Sequence, residues 1–471
     1  MAMTQIFAIG LYFLCALGVG AFSYKKRASA SDFLMGNRSL NYWLTALAAH
    51  ASDMSNWLFM GYPAIIFVGG LFKGWVAIGL ILCMLLNWQW IAPKLRILTE
   101  KSGNLTLSGF FESRLNDHTG LIRLFSAAIC FLFYAIYISA GLIGLGHLAE
   151  SLFGVSYHVG ILSGIIIVIA YVLIGGFVTL AWLDLFQGLF LLGVIVAVPL
   201  LLLPSVGGFH NIQISTSLFP DFKGMTLFQI VSMSLGWGLG YFGQPHILTK
   251  FMGIRDVSEI KQSTRVGMSW MILSLAAATF VGLIAVPYFT NGIHDPEMIF
   301  IEMVKGSYRP FLASFILCAI IAAIINVMSS QMLVISSILS EDFYKKFFAK
   351  SATQKKRIFV SRLAILGIAV ASLGIAAMKP ASIFQLVMYA WSGLGAAFGP
   401  LLLYSIYGKN RSLLGAWIGM LAGGITSAFW SYLNPFPVEI EPLLPAFIIS
   451  FLLNWGISQC VSRKESAQTC P

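Results

Sequence analysis

The amino-acid sequence predicts an all-α polytopic membrane protein with about thirteen transmembrane helices. Hydrophobic residues make up 58% of the 471 residues, charged residues only 10%, and the mean hydropathy is +0.85. Apolar runs of about 20 residues, the length that crosses about 30 Å of hydrocarbon, recur along the chain, whereas the alternating segments of a β-barrel do not. We therefore expect residues 1–471 to form a single transmembrane domain without a flanking soluble domain.

The predicted spans follow from the apolar runs in chain order. The first is too long for a signal peptide and lacks the small-residue cleavage site, so we expect it in the mature protein. The spans are residues 3–23, 42–69, 74–95, 121–152, 158–175, 181–204, 226–250, 266–290, 308–340, 359–378, 383–406, 411–433 and 442–462.

The distribution of basic residues predicts the orientation, because cytoplasmic loops retain Lys and Arg. An outward N-terminus and an inward C-terminus leave few of the 29 basic residues outside: Lys73, Lys223, Lys305, Arg309 and Lys379. The net charge of +11 then reflects topology and attraction to anionic membrane lipid, and it gives no reason to expect nucleic-acid binding. Six cysteines without paired spacing predict no metal site of the Cys/His type.

Two predicted spans carry interruptions. The second span contains "HASDMSN" at residues 50–56, and its 28 residues would exceed the bilayer core as one straight helix. The seventh contains "LGWGLGYFGQPH" at 235–246, with four glycines before Pro245. Glycine lets the backbone leave helical geometry and proline removes a donor, so we expect both helices to break near the middle.

These breaks occupy the first helix of two five-span sets, residues 42–204 and 226–406. An odd number of spans per set inverts the second relative to the first. Paired broken helices in inverted repeats are typical of secondary transporters, which bind substrate and ion near the bilayer midplane. The spacing therefore predicts a carrier with a site between the two breaks.

Several longer motifs support a family resemblance. In order along the chain they are "ASDMSNWLFMGYPA" (51–64), "GGFVTLAWLDLFQG" (175–188), "GWGLGYFGQPHIL" (236–248), "SEDFY" (340–344) and "YAWSGLGAAFGP" (389–400). They resemble the bacterial sodium/proline symporters of the sodium:solute symporter family. The resemblance implies a LeuT-like core of five plus five inverted helices, sodium-coupled uptake of L-proline across the bacterial inner membrane, no cofactor besides the coupling ion, and a functional monomer.

The resemblance also implies roles for individual residues. Ala51 and Met54 would offer carbonyl oxygens to sodium, Ala323 would offer a third, and Asp53 would support the cation region. Substrate contacts would come from Ser55, Asn56, Tyr137, Trp237, Tyr241 and Pro245, with the two aromatics of the second break flanking the pyrrolidine ring. Rigid aromatic faces suit a compact apolar ring and attract its ammonium group. The family position of Asn56 is commonly glycine.

The expected cation site departs from the family pattern in the segment "CAIIAAIINVMSSQ" at 318–331. Asn326 and Val327 stand where the family has two adjacent hydroxyl residues. A valine side chain cannot coordinate a cation, and an amide oxygen would replace only one hydroxyl. The sequence thus leaves open a sodium-coupled carrier with an altered site or a carrier driven weakly or by protons.

Three further residues have roles to be decided. His50, where the family has a small residue, is either a neutral histidine bound to a helix carbonyl or to Asn326, or a proton handle. Asp184 is either a supporting or gating carboxylate or an ordinary interfacial residue. Arg38 is either part of an intracellular gate or ordinary positive-inside charge.

Two other classes of function were weighed. An intramembrane enzyme would need parts that the sequence lacks, since it has no H-E-x-x-H, G-x-S-x-G or P-loop motif. A solute sensor that does not transport remains an alternative, which an uptake measurement separates from a carrier.

Overall fold

A computed structural model describes residues 2–23, 30–212, 226–348, 353–435 and 440–468. Within these ranges the chain is almost entirely helical and contains no β-strand; an isolated parallel bridge pairs Leu40 with Ile254. Lys25, Lys26, Arg27 and Lys350, which contribute to the predicted orientation, lie outside the described residues.

The helices follow one another with short connections. The α-helices are α1 Ala2–Ser23, α2 Ala30–Met35, α3 Tyr42–Ala51, α4 Gly61–Gly69, α5 Trp75–Leu86, α6 Ala92–Lys101, α7 Leu107–Leu115, α8 Leu121–Phe153, α9 Tyr157–Ile174, α10 Phe177–Leu202, α11 Thr226–Gly238, α12 Pro245–Met252, α13 Ile260–Tyr288, α14 Ile299–Ser307, α15 Pro310–Ser337, α16 Lys345–Phe347, α17 Gln354–Met378, α18 Ile383–Tyr407, α19 Leu413–Leu433 and α20 Leu443–Gln468. Short 3₁₀ turns are Gly36–Arg38, Asn56–Leu58, Leu71–Gly74, Leu203–Val206, Phe209–Asn211, Leu239–Gly243, Val257–Glu259 and Pro296–Met298, and π-helical turns are Asn87–Ile91 and Ile338–Tyr344.

Within the described ranges, 10 helical segments are long and apolar enough to cross a membrane, and each coincides with a predicted span. The other three predicted spans are the two interrupted ones, now α3 with α4 and α11 with α12, and the 18-residue helix α9. The all-helical membrane fold is therefore confirmed. The count of thirteen and the outward N-terminus stay predictions.

Helix boundaries differ from the sequence prediction at polar ends. The third span continues as α6 to Lys101, and α13 already begins at Ile260. Hydropathy marks only the part of a helix in hydrocarbon, so the ends beyond it are missed. The short helices α2, α7 and α14 were also missed, because 6 to 9 residues cannot form a span.

The two broken segments lie side by side in the centre of the bundle. Helix α3 packs against α10, α12 and α13, and the turn Leu239–Gly243 packs against α18. Every residue from Leu44 to Ala51 is buried, and so is every residue of α12. Helices buried on all sides belong to a protein core, which here surrounds the interruptions. Peripheral α1 instead exposes Phe7 and Leu14, as expected for contact with lipid.

Candidate functional site

The first break separates α3 from α4 at Ser52–Ser55. The carbonyl of His50 accepts the N–H groups of both Asp53 and Met54, each at 3.2 Å. The Ser55 hydroxyl accepts the Trp57 N–H at 3.2 Å and so caps the following turn. Short polar side chains satisfy the backbone here in place of helical bonds, which is why this sequence leaves the helix.

The first break keeps two main-chain oxygens available. Among the described hydrogen bonds of the break, none ends on the carbonyl of Ala51 or of Met54, although both residues are buried. A buried carbonyl without a donor is unfavourable unless a ligand or water occupies it. These are the two carbonyls that the sequence assigned to a cation.

The second break separates α11 from α12 at Gln244, whose extended backbone has φ −88° and ψ 104°. Its glycines are required by close packing. A Cβ on Gly240 would come within 1.9 Å of the Trp391 indole nitrogen, and one on Gly243 within 2.7 Å of the backbone of Gly395. The glycines therefore let α18 lie directly against the break.

Side chains from other helices donate hydrogen bonds to two carbonyls of the second break. Trp391 Nε1 donates to the Trp237 carbonyl at 2.8 Å, and Asn87 Nδ2 donates to the Tyr241 carbonyl at 2.9 Å. In return, Gln244 Nε2 donates to the Trp391 carbonyl at 3.0 Å. Side chains thus satisfy these two carbonyls of the second break, whereas the carbonyls of Ala51 and Met54 at the first, which we call the open break, have no described donor.

A narrow cavity of about 10 Å³ lies between the two breaks; we call it the upper cavity. At one wall, the Tyr241 hydroxyl donates a hydrogen bond to Asp53 Oδ2, and both side chains are buried. This bond joins the two broken helices through the cavity. Its lining residues are Asp53, Met54, Trp57, Leu80, Tyr137, Trp237, Tyr241, Val387 and Trp391.

Aromatic rings cover the upper cavity. The Trp57 and Trp237 rings lie 5.3 Å apart, and Phe384 lies 5.0 Å from Trp237. Both indole N–H groups are buried and have no hydrogen-bond partner among the described residues. A buried donor without an acceptor is costly, so two beside one cavity mark a place for an acceptor group on a ligand.

Tyr137, Trp237 and Tyr241 line the upper cavity as the sequence suggested, and Tyr137 lies beside Ser55. Ser55 itself does not line the cavity, since its hydroxyl caps a turn. We call the end of the bundle that carries Arg38, Lys94 and Arg255 the basic face. Pro245 lines a different cavity, nearer to this face.

Asn56 is also directed away from the upper cavity. Its Nδ2 donates to the Ala140 carbonyl at 3.0 Å, and a Cβ on Gly144 would lie 2.4 Å from that nitrogen. The asparagine therefore fills space against α8 that Gly144 leaves. Direct contact with the substrate, expected from its position in the motif, does not fit this orientation.

Ala323, Asn326 and Val327 are all buried on α15, which contacts α3. Both polar atoms of the Asn326 amide lack a partner among the described residues. Val327 offers no side-chain oxygen. One free amide oxygen thus occurs on the helix where the family resemblance implies two hydroxyl ligands.

His50 lies beside Trp88 and Trp270, with ring centroids 6.1 and 6.2 Å away. Trp88 Nε1 donates to His50 Nε2 at 3.1 Å. Because an indole can only donate, Nε2 must be the unprotonated nitrogen, and the imidazole is neutral. The sequence suggested a helix carbonyl or Asn326 as the partner of His50, whereas the partner in the structure is Trp88. This hydrogen bond disfavours a proton-carrying role for His50.

Arg38, four residues before α3, is bonded to the end of α12 and to the C-terminal end of α6. Its Nη1 donates to the Met252 carbonyl at 2.8 Å, and its Nη2 donates to the carbonyls of Thr99 and Asn104, each at 2.9 Å. Burial, and then the nearby Arg96 guanidinium, lower the pKa of Arg38. An arginine that only contributes positive-inside charge would need none of these specific hydrogen bonds.

Asp184 is buried within the protein, with 2% of its side chain exposed. Its Oδ2 accepts from Lys250 Nζ at 2.8 Å, and the lysine is equally buried. This ion pair joins α10 to α12. Removing either partner would leave an uncompensated buried charge, which costs about 3–5 kcal/mol.

Sequence reasoning missed Trp57, Asn87, Trp88, Lys250, Trp391 and His246. An asparagine inside an apolar run and a lysine in a predicted span were available signals, since polar groups in membrane helices need partners. The indoles gave no signal, because aromatic residues are common throughout this chain.

Comparisons with known proteins identify the family. The profile of the sodium:solute symporter family matches residues 33–423. The high-affinity proline transporter PutP of Bacillus subtilis is 41% identical over 460 residues, which covers 94% of this chain and 97% of that protein. The sodium/proline symporter of Escherichia coli is 37% identical, covering 93% of this chain and 89% of that protein.

Solved structures share the fold. A sodium-coupled sialic acid symporter in a substrate-bound outward-open state superposes with a TM-score of 0.81, covering 97% of both chains at 18% identity. A nucleobase-cation symporter in a closed conformation gives a TM-score of 0.57 at 14% identity.

Proposed function

The chain belongs to the sodium:solute symporter family, and on that premise we propose that it is a secondary-active carrier for L-proline. The observation that carries the proposal is the upper cavity, which lies between two broken helices and is joined across by the hydrogen bond between Tyr241 and Asp53. A site bounded by both breaks changes its exposure when the helices move relative to each other. Relatives named as proline transporters support the choice of substrate.

The chemistry of the upper cavity suits a small zwitterion with an apolar ring. The unpartnered N–H groups of Trp57 and Trp237 are donors for a carboxylate. The aromatic faces suit the pyrrolidine ring, and cation–π attraction favours its ammonium group. We assign substrate contact to Trp57, Tyr137, Trp237 and Tyr241, while Ser55 and Asn56 shape the first break, and Pro245 lies nearer the basic face.

Sodium is the coupling ion that fits the free oxygens best. The carbonyls of Ala51 and Met54 accept no hydrogen bond within the break, and Asn326 Oδ1 has no partner among the described residues. With the Ala323 carbonyl, these would supply neutral oxygens, and Asp53 would add negative charge nearby. Because Val327 contributes no oxygen, we expect weaker sodium binding than two hydroxyl residues would give.

Proton coupling through His50 is disfavoured by its bond from Trp88. A protonated Nε2 would face an indole N–H, donor against donor. In this proposal His50 anchors α3, and Arg38 and the Asp184–Lys250 pair hold the broken helices at the basic face. The proposal also includes two inverted repeats, residues 42–204 and 226–406. It places the basic face on the cytoplasmic side of the membrane.

Uptake of labelled L-proline into proteoliposomes tests both substrate and ion. An inward sodium gradient should stimulate saturable uptake, and an inward proton gradient without sodium should not. Uptake driven by protons alone would overturn the sodium assignment. Saturable binding of proline without any uptake would favour the sensor alternative.

A further inference from the structure

A second narrow cavity, of about 20 Å³, lies nearer the basic face than the upper cavity; we call it the lower cavity. Its polar lining comes from α12 and α15, chiefly His246, Thr249, Lys250 and Ser330, and Pro245 contributes to its wall. The two cavities adjoin at His246, because the Tyr137 ring of the upper cavity contacts the His246 ring edge-on at a centroid distance of 6.3 Å.

His246 presents a hydrogen-bond donor without a partner. The Tyr134 hydroxyl accepts the main-chain N–H of His246 at 3.1 Å and lies 3.2 Å from its Nδ1. Donation of the hydroxyl proton to Nδ1 satisfies both groups, and in that tautomer the neutral imidazole carries its hydrogen on Nε2. Nε2 is buried and has no partner among the described residues.

The remaining polar groups of the lower cavity separate into occupied and free donors. The Thr249 hydroxyl donates to the His246 carbonyl, and the Ser337 hydroxyl donates to the Leu333 carbonyl. The Ser330 hydroxyl, only 2% of whose residue is exposed, has no partner in the described chain. Lys250 uses one N–H for Asp184 and retains the others.

The lower cavity therefore offers two free donors, at His246 and Ser330, beside an ammonium that is already paired with Asp184, and these donors match an acceptor group. We propose that the cavity widens during transport into a second position for the substrate, occupied between the upper cavity and the basic face, where the carboxylate accepts hydrogen bonds from His246 Nε2 and Ser330 Oγ. The inference rests on the proposed function. It also gives Pro245 a place beside the substrate, in the lower cavity instead of the upper one.

The serine pair on α15 provides a matched test. Ser329 and Ser330 are both buried with unpartnered hydroxyls, but only Ser330 lines the lower cavity. We would measure KM for labelled L-proline in right-side-out and inside-out membrane vesicles for Ser330→Ala, His246→Leu and Ser329→Ala. Loss of one bond to a carboxylate should raise KM at the basic face about tenfold and change KM at the opposite face less than about twofold.

Ser329→Ala should leave both KM values unchanged. An equal rise of KM at both faces in Ser330→Ala would overturn the inference, because it would assign the hydroxyl to general stability or to the upper cavity. Unchanged KM values in both cavity variants would overturn it as well. Absence of proline uptake by the unmodified protein is a different result, which rejects the proposed function and this inference with it.

Discussion

Both broken helices leave main-chain carbonyls without helical hydrogen bonds, and the two breaks differ in what satisfies them. In the first break, the carbonyls of Ala51 and Met54 accept no hydrogen bond within the break. In the second, Trp391 and Asn87 donate to the carbonyls of Trp237 and Tyr241. Unsatisfied backbone groups are costly away from water, so an open break is maintained only where something else binds. We propose from this comparison that the first break binds the ion and that the second forms a wall of the cavity.

The strongest test of this comparison is Asp53→Asn, which removes the negative charge of the open break and keeps the acceptor for Tyr241. We expect the sodium concentration for half-maximal uptake to rise about 100-fold, equivalent to about 3 kcal/mol. The measurement is proline uptake against sodium concentration in proteoliposomes. Tyr241→Phe removes the hydrogen bond but keeps the charge, and it should shift sodium dependence much less. Equal shifts would show that charge is not what matters.

Restoring two hydroxyl ligands on α15 should strengthen sodium binding at the open break. The double variant Asn326→Ser with Val327→Thr supplies two side-chain oxygens in place of one. We expect half-maximal uptake at about tenfold lower sodium concentration. If sodium dependence stays the same, the assignment of these two positions on α15 is wrong.

Removing a donor from the second break should lower the thermal stability of the protein more than it changes the sodium dependence of uptake. Asn87→Ala removes the donor to the Tyr241 carbonyl and leaves that oxygen buried and unpaired, which should cost about 1–3 kcal/mol. Thermal unfolding of the purified protein measures this loss. Asn454→Ala is the matched control, since its buried amide has no partner among the described residues. A smaller loss for Asn87→Ala than for the control would contradict this role of Asn87.

The smallest effect is expected at His50. Glutamine can accept the Trp88 N–H through Oε1, so His50→Gln should keep the shape of the uptake profile between about pH 5.5 and 8. His50→Leu cannot accept it and should lower thermal stability by about 1–3 kcal/mol. If His50→Gln abolishes a pH dependence present in the unmodified protein, the imidazole does carry a proton.

The sequence predicted the existence of both breaks because their causes are local. Ser52, Asp53 and Ser55 compete for backbone bonds within a few residues, and glycines before Pro245 act over one turn. Aromatic residues at the second break also indicated the cavity correctly. The direction of Asn56 was not predictable, because it depends on space left by Gly144 on another helix.

The contacts that distinguish the breaks could not be read from one sequence. Asn87 lies 154 residues from Tyr241, Trp391 lies 154 residues from Trp237, and Lys250 lies 66 residues from Asp184. Each contact depends on how helices pack in the bundle, and hydropathy carries no information about partners. The partner of His50 was missed for the same reason.

The π-helical turn Asn87–Ile91 has a consequence for engineering. Two neighbouring residues of that turn hold different elements, Asn87 at the second break and Trp88 at His50 beside the first. A one-residue insertion or deletion just before Asn87 would rotate both anchors together relative to α5, by about 100° in helical geometry. Selection for altered conformational bias should therefore concentrate such changes there, since one inserted or deleted codon displaces the contacts to both broken helices.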